Sequence, residues 1–163
     1  MEIWKPVEGF PQYLVSPEGH IRNTERDAPV KTRQNLQGIR MVNLMRDTKQ
    51  YTRSVALIVA QAYLRPPPSP AYNSVIYLDG DKGNCEARNL MYRPRWYAVK
   101  YHQMFREEPL KVSVIIEETG EIFGTLREAC VKYGLIEHYT YVDMLNGSPC
   151  FHYGYRFKRA TGY

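Results

Sequence analysis

The chain has 163 residues, 44% of them hydrophobic, enough for one medium domain or two small ones and too few for a deep core in either. Its 22 Lys and Arg against 17 Asp and Glu leave a net charge of +5, which favours a polyanionic partner. Cys85, Cys130 and Cys150 stand far apart with no CxxC pair, which argues against a zinc ribbon or a disulfide framework and for a reducing compartment.

No apolar run approaches the roughly 20 residues of a membrane span, and the opening MEIWKPVEGF lacks the basic-then-apolar pattern of a signal peptide. The expectation is a cytoplasmic protein with no membrane partner. Residues 1–63 hold Gly and Pro punctuation, two short alternating runs and an apolar stretch. In Ile39 to Asp47, apolar side chains recur at Ile39, Met41 or Val42, and Leu44, and YTRSVAL follows after the polar break Asp47-Thr48-Lys49-Gln50. That pattern predicts a hairpin. From Lys31 to Arg53 the basic residues are Lys31, Arg33, Arg40, Arg46, Lys49 and Arg53, against the single acid Asp47, so this stretch carries as much positive excess as the whole chain. A ribbon so charged is either a solvated face or one that fits the DNA major groove.

Val55 to Leu64 is long and Ala-rich enough for a buried helix, and Pro66, Pro67, Pro68 and Pro70 then stop it in a stiff polyproline-type spacer. Val75 to Leu78 suits a strand and Asp79 to Gly83 a turn with positive φ, with a short helix from about Glu86. Residues 93–111 are rich in Arg, Lys and aromatic side chains, including Arg93, Arg95 and Lys100, and suit a linker laid along a phosphate backbone. From Val112 the texture resets. A small hairpin turns at Thr119-Gly120, and Thr125 to Glu128 form a capping box. Leu126, Ala129, Cys130 and Tyr133 share one helical face before a stop at Gly134. A second helix is expected from about Glu137 to Asn146, making a helix-turn-helix candidate, and Gly154 to Arg159 alternates as a closing strand. The 14 tyrosines suit surfaces that combine flat apolar contact with hydrogen bonding.

Three blocks resemble one known arrangement, that of the phage and intron-encoded HNH homing endonucleases. Glu2 to Asn23 resembles their N-terminal motif, with Trp4, Gly9, Tyr13, Val15, Ser16 and Gly19 in place. Val55 to Tyr92 resembles the HNH module, a hairpin plus helix that holds a divalent metal. VSVIIEETGEIFGTLREACVKYGL through GYRFKR resembles the intron-encoded nuclease repeat. The resemblance implies an α+β, extended modular protein. Residues 1–98 would carry the N-terminal motif and a ββα-metal module, 99–111 a basic linker, and 112–163 a small β plus helix-turn-helix unit.

The family's chemistry carries over one position at a time. Where active members place a metal-binding Asp or Asn and then a general-base His, this chain has Ile76 and Tyr77. Ile76 ligates nothing, and a tyrosine with a pKa near 10 is a poor base at neutral pH. The later metal-binding Asn falls on Ala98, and an upstream His-Arg reads Ala56-Leu57. Asp79, Gly80, Asn84, Asn89 and Leu90 match the family, with structural roles in the turn, the loop and the core. The expectation is therefore a site-specific double-stranded-DNA-binding protein that is not an enzyme, with no cofactor, no metal ligands and no small-molecule substrate, reused as a phage regulator or accessory factor in the host cytoplasm. Phosphate contacts are expected from Lys31, Arg33, Arg40, Arg46, Arg53, Arg93, Arg95 and Lys100, and base reading from His138, Tyr139, Thr140 and Tyr141. One alternative is an active nickase using Mg²⁺ or Mn²⁺ on relocated ligands, with Asp79, Asp81 and His102 as candidates. Another is a module that grips a host or phage protein.

Overall fold

A computed structural model describes residues 3–161. It has the expected mixture of strands and helices, in two compact units that divide between Ala98 and Val99. The first unit opens with β1 (Lys5–Val7), β2 (Phe10–Val15), β3 (Ile21–Asn23) and β4 (Ala28–Pro29), an antiparallel sheet in that order. Phe10, Tyr13 and Val15 of β2 are buried. The turn after β2 needs Gly19, whose φ is +89° and whose absent Cβ would sit 3.3 Å from the Cβ of Cys85.

A second antiparallel sheet runs β5 (Arg33–Gln34), β6 (Arg40–Arg46) and β7 (Lys49–Ser54). The predicted hairpin is β6 and β7, paired from Met41↔Ser54 to Arg46↔Lys49. Its two-residue turn holds Asp47 at φ 50° and Thr48 at φ 64°, the positive pair that matches strand twist in such a turn. Helix α1 (Val55–Tyr63) follows directly. The Ser54 side chain caps it by accepting from the Leu57 N–H, and Val55, Ala56, Ile58, Val59 and Ala60 are buried. With so little polar surface the helix is enclosed from several sides, by β1, β2, β6, β7 and the next hairpin. That hairpin is β8 (Ser74–Tyr77) with β9 (Leu90–Arg93), a 3₁₀ turn at Ala87–Asn89 preceding β9, and α2 (Arg95–Met104) completes a ββα order.

The span expected as a basic linker, 99–111, is partly helical. Tyr97, Tyr101 and Met104 are buried at helical spacing along α2, a periodicity that the surrounding Arg and Lys obscure in the sequence. In the second unit β10 (Val114–Ile116) lies between β11 (Ile122–Phe123) and β12 (Phe157–Arg159). Helix α3 (Leu126–Tyr133) starts at its predicted cap, the Thr125 hydroxyl accepting from the Glu128 N–H at 3.2 Å, and stops at Gly134 with φ 64°. Helix α4 (Glu137–Asn146) ends at Gly147. A buried ion pair joins the two, Arg127 Nε to Glu137 Oε2 at 2.9 Å. Glu137 Oε1 also accepts from the Leu110 N–H at 3.1 Å, and Arg127 donates to the Glu107 carbonyl, so the end of the supposed linker is tied down. Cys85, Cys130 and Cys150 are free and buried. Among the described residues no helix is long and apolar enough to cross a membrane.

Two stability predictions follow from these contacts. A β-branched residue in the left-handed region is strained, so Thr48→Gly should stabilise the protein by about 1 kcal/mol in thermal unfolding; a loss of stability would show that the turn is not strained. Glu137→Ala leaves Arg127 buried without its partner and should cost about 3 kcal/mol in denaturant unfolding, much of it recovered by pairing Arg127→Met with Glu137→Leu. An unchanged midpoint for Glu137→Ala would contradict that role.

Candidate nucleic-acid interface

The β6–β7 register decides where the basic ribbon points. Val42, Leu44 and Arg46 share a face with Arg53, Tyr51 and Lys49, because side chains alternate along each strand. Val42 and Leu44 are buried, so this is the core side. Arg46 and Arg53 extend along its margin, where their guanidinium carbons lie 4.7 and 5.2 Å from the Tyr51 ring centre and 4.9 and 5.7 Å from that of Phe10. Arg46 also donates to the Gly9 carbonyl at 3.1 Å. Among the described residues neither guanidinium is in an ion pair with a carboxylate, so two stacked cations stand together at one edge. Arg40 is turned inward and bonds Thr32 and the Gly19 carbonyl. Lys31 and Arg33 are exposed. The six basic side chains therefore do not form one charged face, as the sequence suggested. Phe10 and Tyr51 were not among the expected site residues. Tyr51 is legible as the i−2 neighbour of Arg53, whereas Phe10 comes from a different sheet and leaves no local signal.

The β8–β9 hairpin keeps its shape through a polar loop. The Asp79 carboxylate accepts from Asn84 Nδ2 at 2.8 Å, Asn89 Nδ2 at 2.9 Å and the Asp81 N–H at 2.8 Å, and Asn89 Oδ1 accepts from the Asp79 N–H. Partial burial pushes the Asp79 pKa up, but these donors outweigh it and hold the carboxyl below its usual range. The structural roles expected for Asp79, Asn84 and Asn89 are thus what the loop displays. Ile76 is fully buried and Tyr77 nearly so. Burial first, and the Cys85 thiol second, raise the Tyr77 pKa to about 12, opposed by a hydrogen bond with Ser54. Ala98 is buried as well. Ile76, Tyr77 and Ala98 offer no donor set for a divalent cation, and the Asp79 carboxylate accepts three hydrogen bonds from its own loop. Among the described residues no three His, Cys, Asp or Glu side chains gather as a metal site, the trio Asp79, Asp81 and His102 included.

The remaining expected contacts divide by burial. Arg95 and Lys100 are exposed. Arg93 is 7% exposed, donates to the Tyr92 carbonyl and lies 6.0 Å from the Tyr97 ring, so its assignment as a phosphate contact is corrected. Thr140 is 3% exposed, its hydroxyl returned to the Ile136 carbonyl, which removes it from the set of base readers. His138 and Tyr139 are exposed and Tyr141 half-buried, and Lys100 lies 5.8 Å from the Tyr139 ring. Val142 and Leu145 continue the exposed side of α4 as apolar residues.

Comparisons with known proteins agree with this architecture. A NUMOD4 motif, found in homing endonucleases, matches residues 2–53. No curated protein sequence matches the chain. Among solved structures, one described as "DNA binding and cleavage by the HNH homing endonuclease I-HmuI" is similar over 99% of both chains, with a TM-score of 0.57 and 20% identity. The expectation that the protein is not an enzyme is corrected by this finding. The fold it shares is that of a DNA-cleaving enzyme, and the residue types at Ile76, Tyr77 and Ala98 do not by themselves demonstrate a loss of activity. The chain thus carries a NUMOD4 motif on the fold of an HNH homing endonuclease, as the resemblance in its sequence implied.

Proposed function

We propose that this protein binds double-stranded DNA at a specific site and nicks it, as a nuclease of the HNH homing-endonuclease kind working in the cytoplasm of its host cell. The observation that carries the reading is a fold shared along the whole chain with an enzyme described as binding and cleaving DNA. The stacked pair Arg46 and Arg53 and the exposed Lys31, Arg33, Lys49, Arg95 and Lys100 support it electrostatically. A cation held by positions 76, 77 and 98 has no place in the mechanism, so cleavage requires donors elsewhere. Asp81 is the exposed carboxylate of the same loop, and among the described residues it accepts the Gly83 N–H.

A second reading, a module that grips another protein, is favoured by the exposed Tyr139, Val142 and Leu145 at i, i+3 and i+6 of α4. Such a module would retain no DNA fragment at any salt concentration.

In gel-shift titrations the combined Arg46→Ala and Arg53→Ala variant should bind every duplex more weakly, with a log–log salt slope shallower by about 2, at roughly 0.9 per phosphate contact. An unchanged slope would remove these arginines from the interface. Supercoiled plasmid incubated with the protein and Mg²⁺ or Mn²⁺ should become open-circular. Plasmid left intact with both cations would remove nicking from the reading while leaving DNA binding in place.

A further inference from the structure

We propose that the cleft between the β1–β2 turn and helix α1 is where the phosphodiester bond is cut, with Arg46 and Arg53 clamping the phosphoryl oxygens and Glu8 accepting the proton of the attacking water. The inference rests on the nicking reading above and places its chemistry outside positions 76, 77 and 98, where the residues present do not fit a metal.

The cleft has a volume of about 180 Å³. That is below the roughly 300 Å³ at which pockets for drug-sized ligands begin, and it suits a phosphoryl group with its water. Buried Phe10 and Ile58 belong to its apolar floor, while Glu8, Arg46, Arg53 and Gln61 supply its polar groups. A floor that excludes water strengthens every charge interaction above it.

The local fold gathers these groups. Glu8 and Gly9 form the two-residue turn that joins the paired Val7 and Phe10. Gly9 has φ +79°, and a Cβ there would lie 3.4 Å from Arg46 Nη1, so glycine lets the chain close on the guanidinium while its carbonyl accepts from Arg46. The turn that carries Glu8 therefore also holds Arg46. Arg53 Nη1 donates to the Thr52 carbonyl at 3.0 Å, and among the described residues Nε and Nη2 of both arginines have no protein acceptor. Both guanidinium planes rest on the Phe10 and Tyr51 rings, so two forks that match phosphate geometry are fixed before substrate arrives. Glu8 is exposed and, among the described residues, in no ion pair.

The cleft adjoins the β8–β9 hairpin. Burial first, and the Glu8 carboxylate second, raise the Tyr92 pKa, and Arg53 directly precedes Ser54, which bonds Tyr77. Two guanidiniums thus supply, beside the hairpin, the positive charge that its own residues cannot recruit. In the step itself the water oxygen bonds to phosphorus as its proton passes to Glu8, and the bond from phosphorus to one sugar oxygen breaks. That oxygen takes a proton from solvent, and Glu8 returns its own to solvent, leaving a phosphate monoester and a hydroxyl.

The test measures single-turnover nicking of supercoiled plasmid by the full chain, in Mg²⁺ and in EDTA, beside gel-shift affinity for linear duplex. Wild-type protein should nick under both conditions. Glu8→Gln should slow nicking about 100-fold or more while binding duplex at least as tightly as the wild type. Because Glu8 is exposed and Gln matches its shape, a lost rate at full binding reports chemistry and not folding. The combined Arg46→Lys and Arg53→Lys variant keeps both charges, so its salt slope should hold while its nicking rate falls about 100-fold or more for want of the planar forks. Glu8→Gln nicking at the wild-type rate, activity that vanishes in EDTA, or activity lost in Asp81→Asn but kept in Glu8→Gln would overturn the inference and leave nicking in place. A wild-type protein that binds duplex yet nicks plasmid under neither condition would overturn the nicking reading itself, and the inference with it.

Discussion

Helix α1 has almost no polar face, and the first unit is organised by the need to enclose it. An apolar helix of this length is stable in water only if strands cover it on several sides, and β1, β2, β6, β7, β8 and β9 do so. That enclosure fixes which face of each hairpin points inward. Val42 and Leu44 of β6 and Tyr77 and Leu90 of the β8–β9 hairpin all belong to the one core. The outward faces are then whatever the alternation leaves, and the candidate interface is a by-product of this burial.

The same constraint separates scaffold from chemistry in the β8–β9 hairpin. Its loop is closed by Asp79, Asn84 and Asn89 bonding to one another and to backbone, and Tyr77 is packed below it with its hydroxyl bonded to Ser54. The hairpin loop is shaped by protein donors and acceptors, with Asp79, Asn84 and Asn89 bonded to one another and to the backbone. Charge is arranged with similar economy. Arg46 and Arg53 cover Phe10 and Tyr51 with their planar ends, so these cations also contribute to packing at the core margin.

Much of this was legible in the sequence. The β6–β7 hairpin, α1 with its proline stop, the Thr125 cap, the Gly134 and Gly147 stops and the closing strand all carry local signals of period, cap or turn. Orientation was harder to read. Arg40 and Arg93 look like surface cations in a basic stretch, and only the tertiary fold shows them turned inward. Thr140 lies on the side of α4 that buries, which a helix with mixed polar and apolar residues on every side does not announce. The α2 periodicity was hidden by Arg and Lys, and the Arg127–Glu137 pair joins positions in two helices with no pattern to link them. Missing ligands do not equate to a missing activity: residue types at three positions do not by themselves demonstrate its loss, and the fold is similar to that of a structure described as an HNH homing endonuclease.

The central claim is that the cations left outside the core face a polyanion. The most direct test is the affinity of the intact protein for duplex DNA across a range of monovalent salt. With about five or more phosphate contacts, log affinity should fall linearly against log salt with a slope of about −4 or steeper. A slope near zero, or no retained duplex at low salt, would contradict the account.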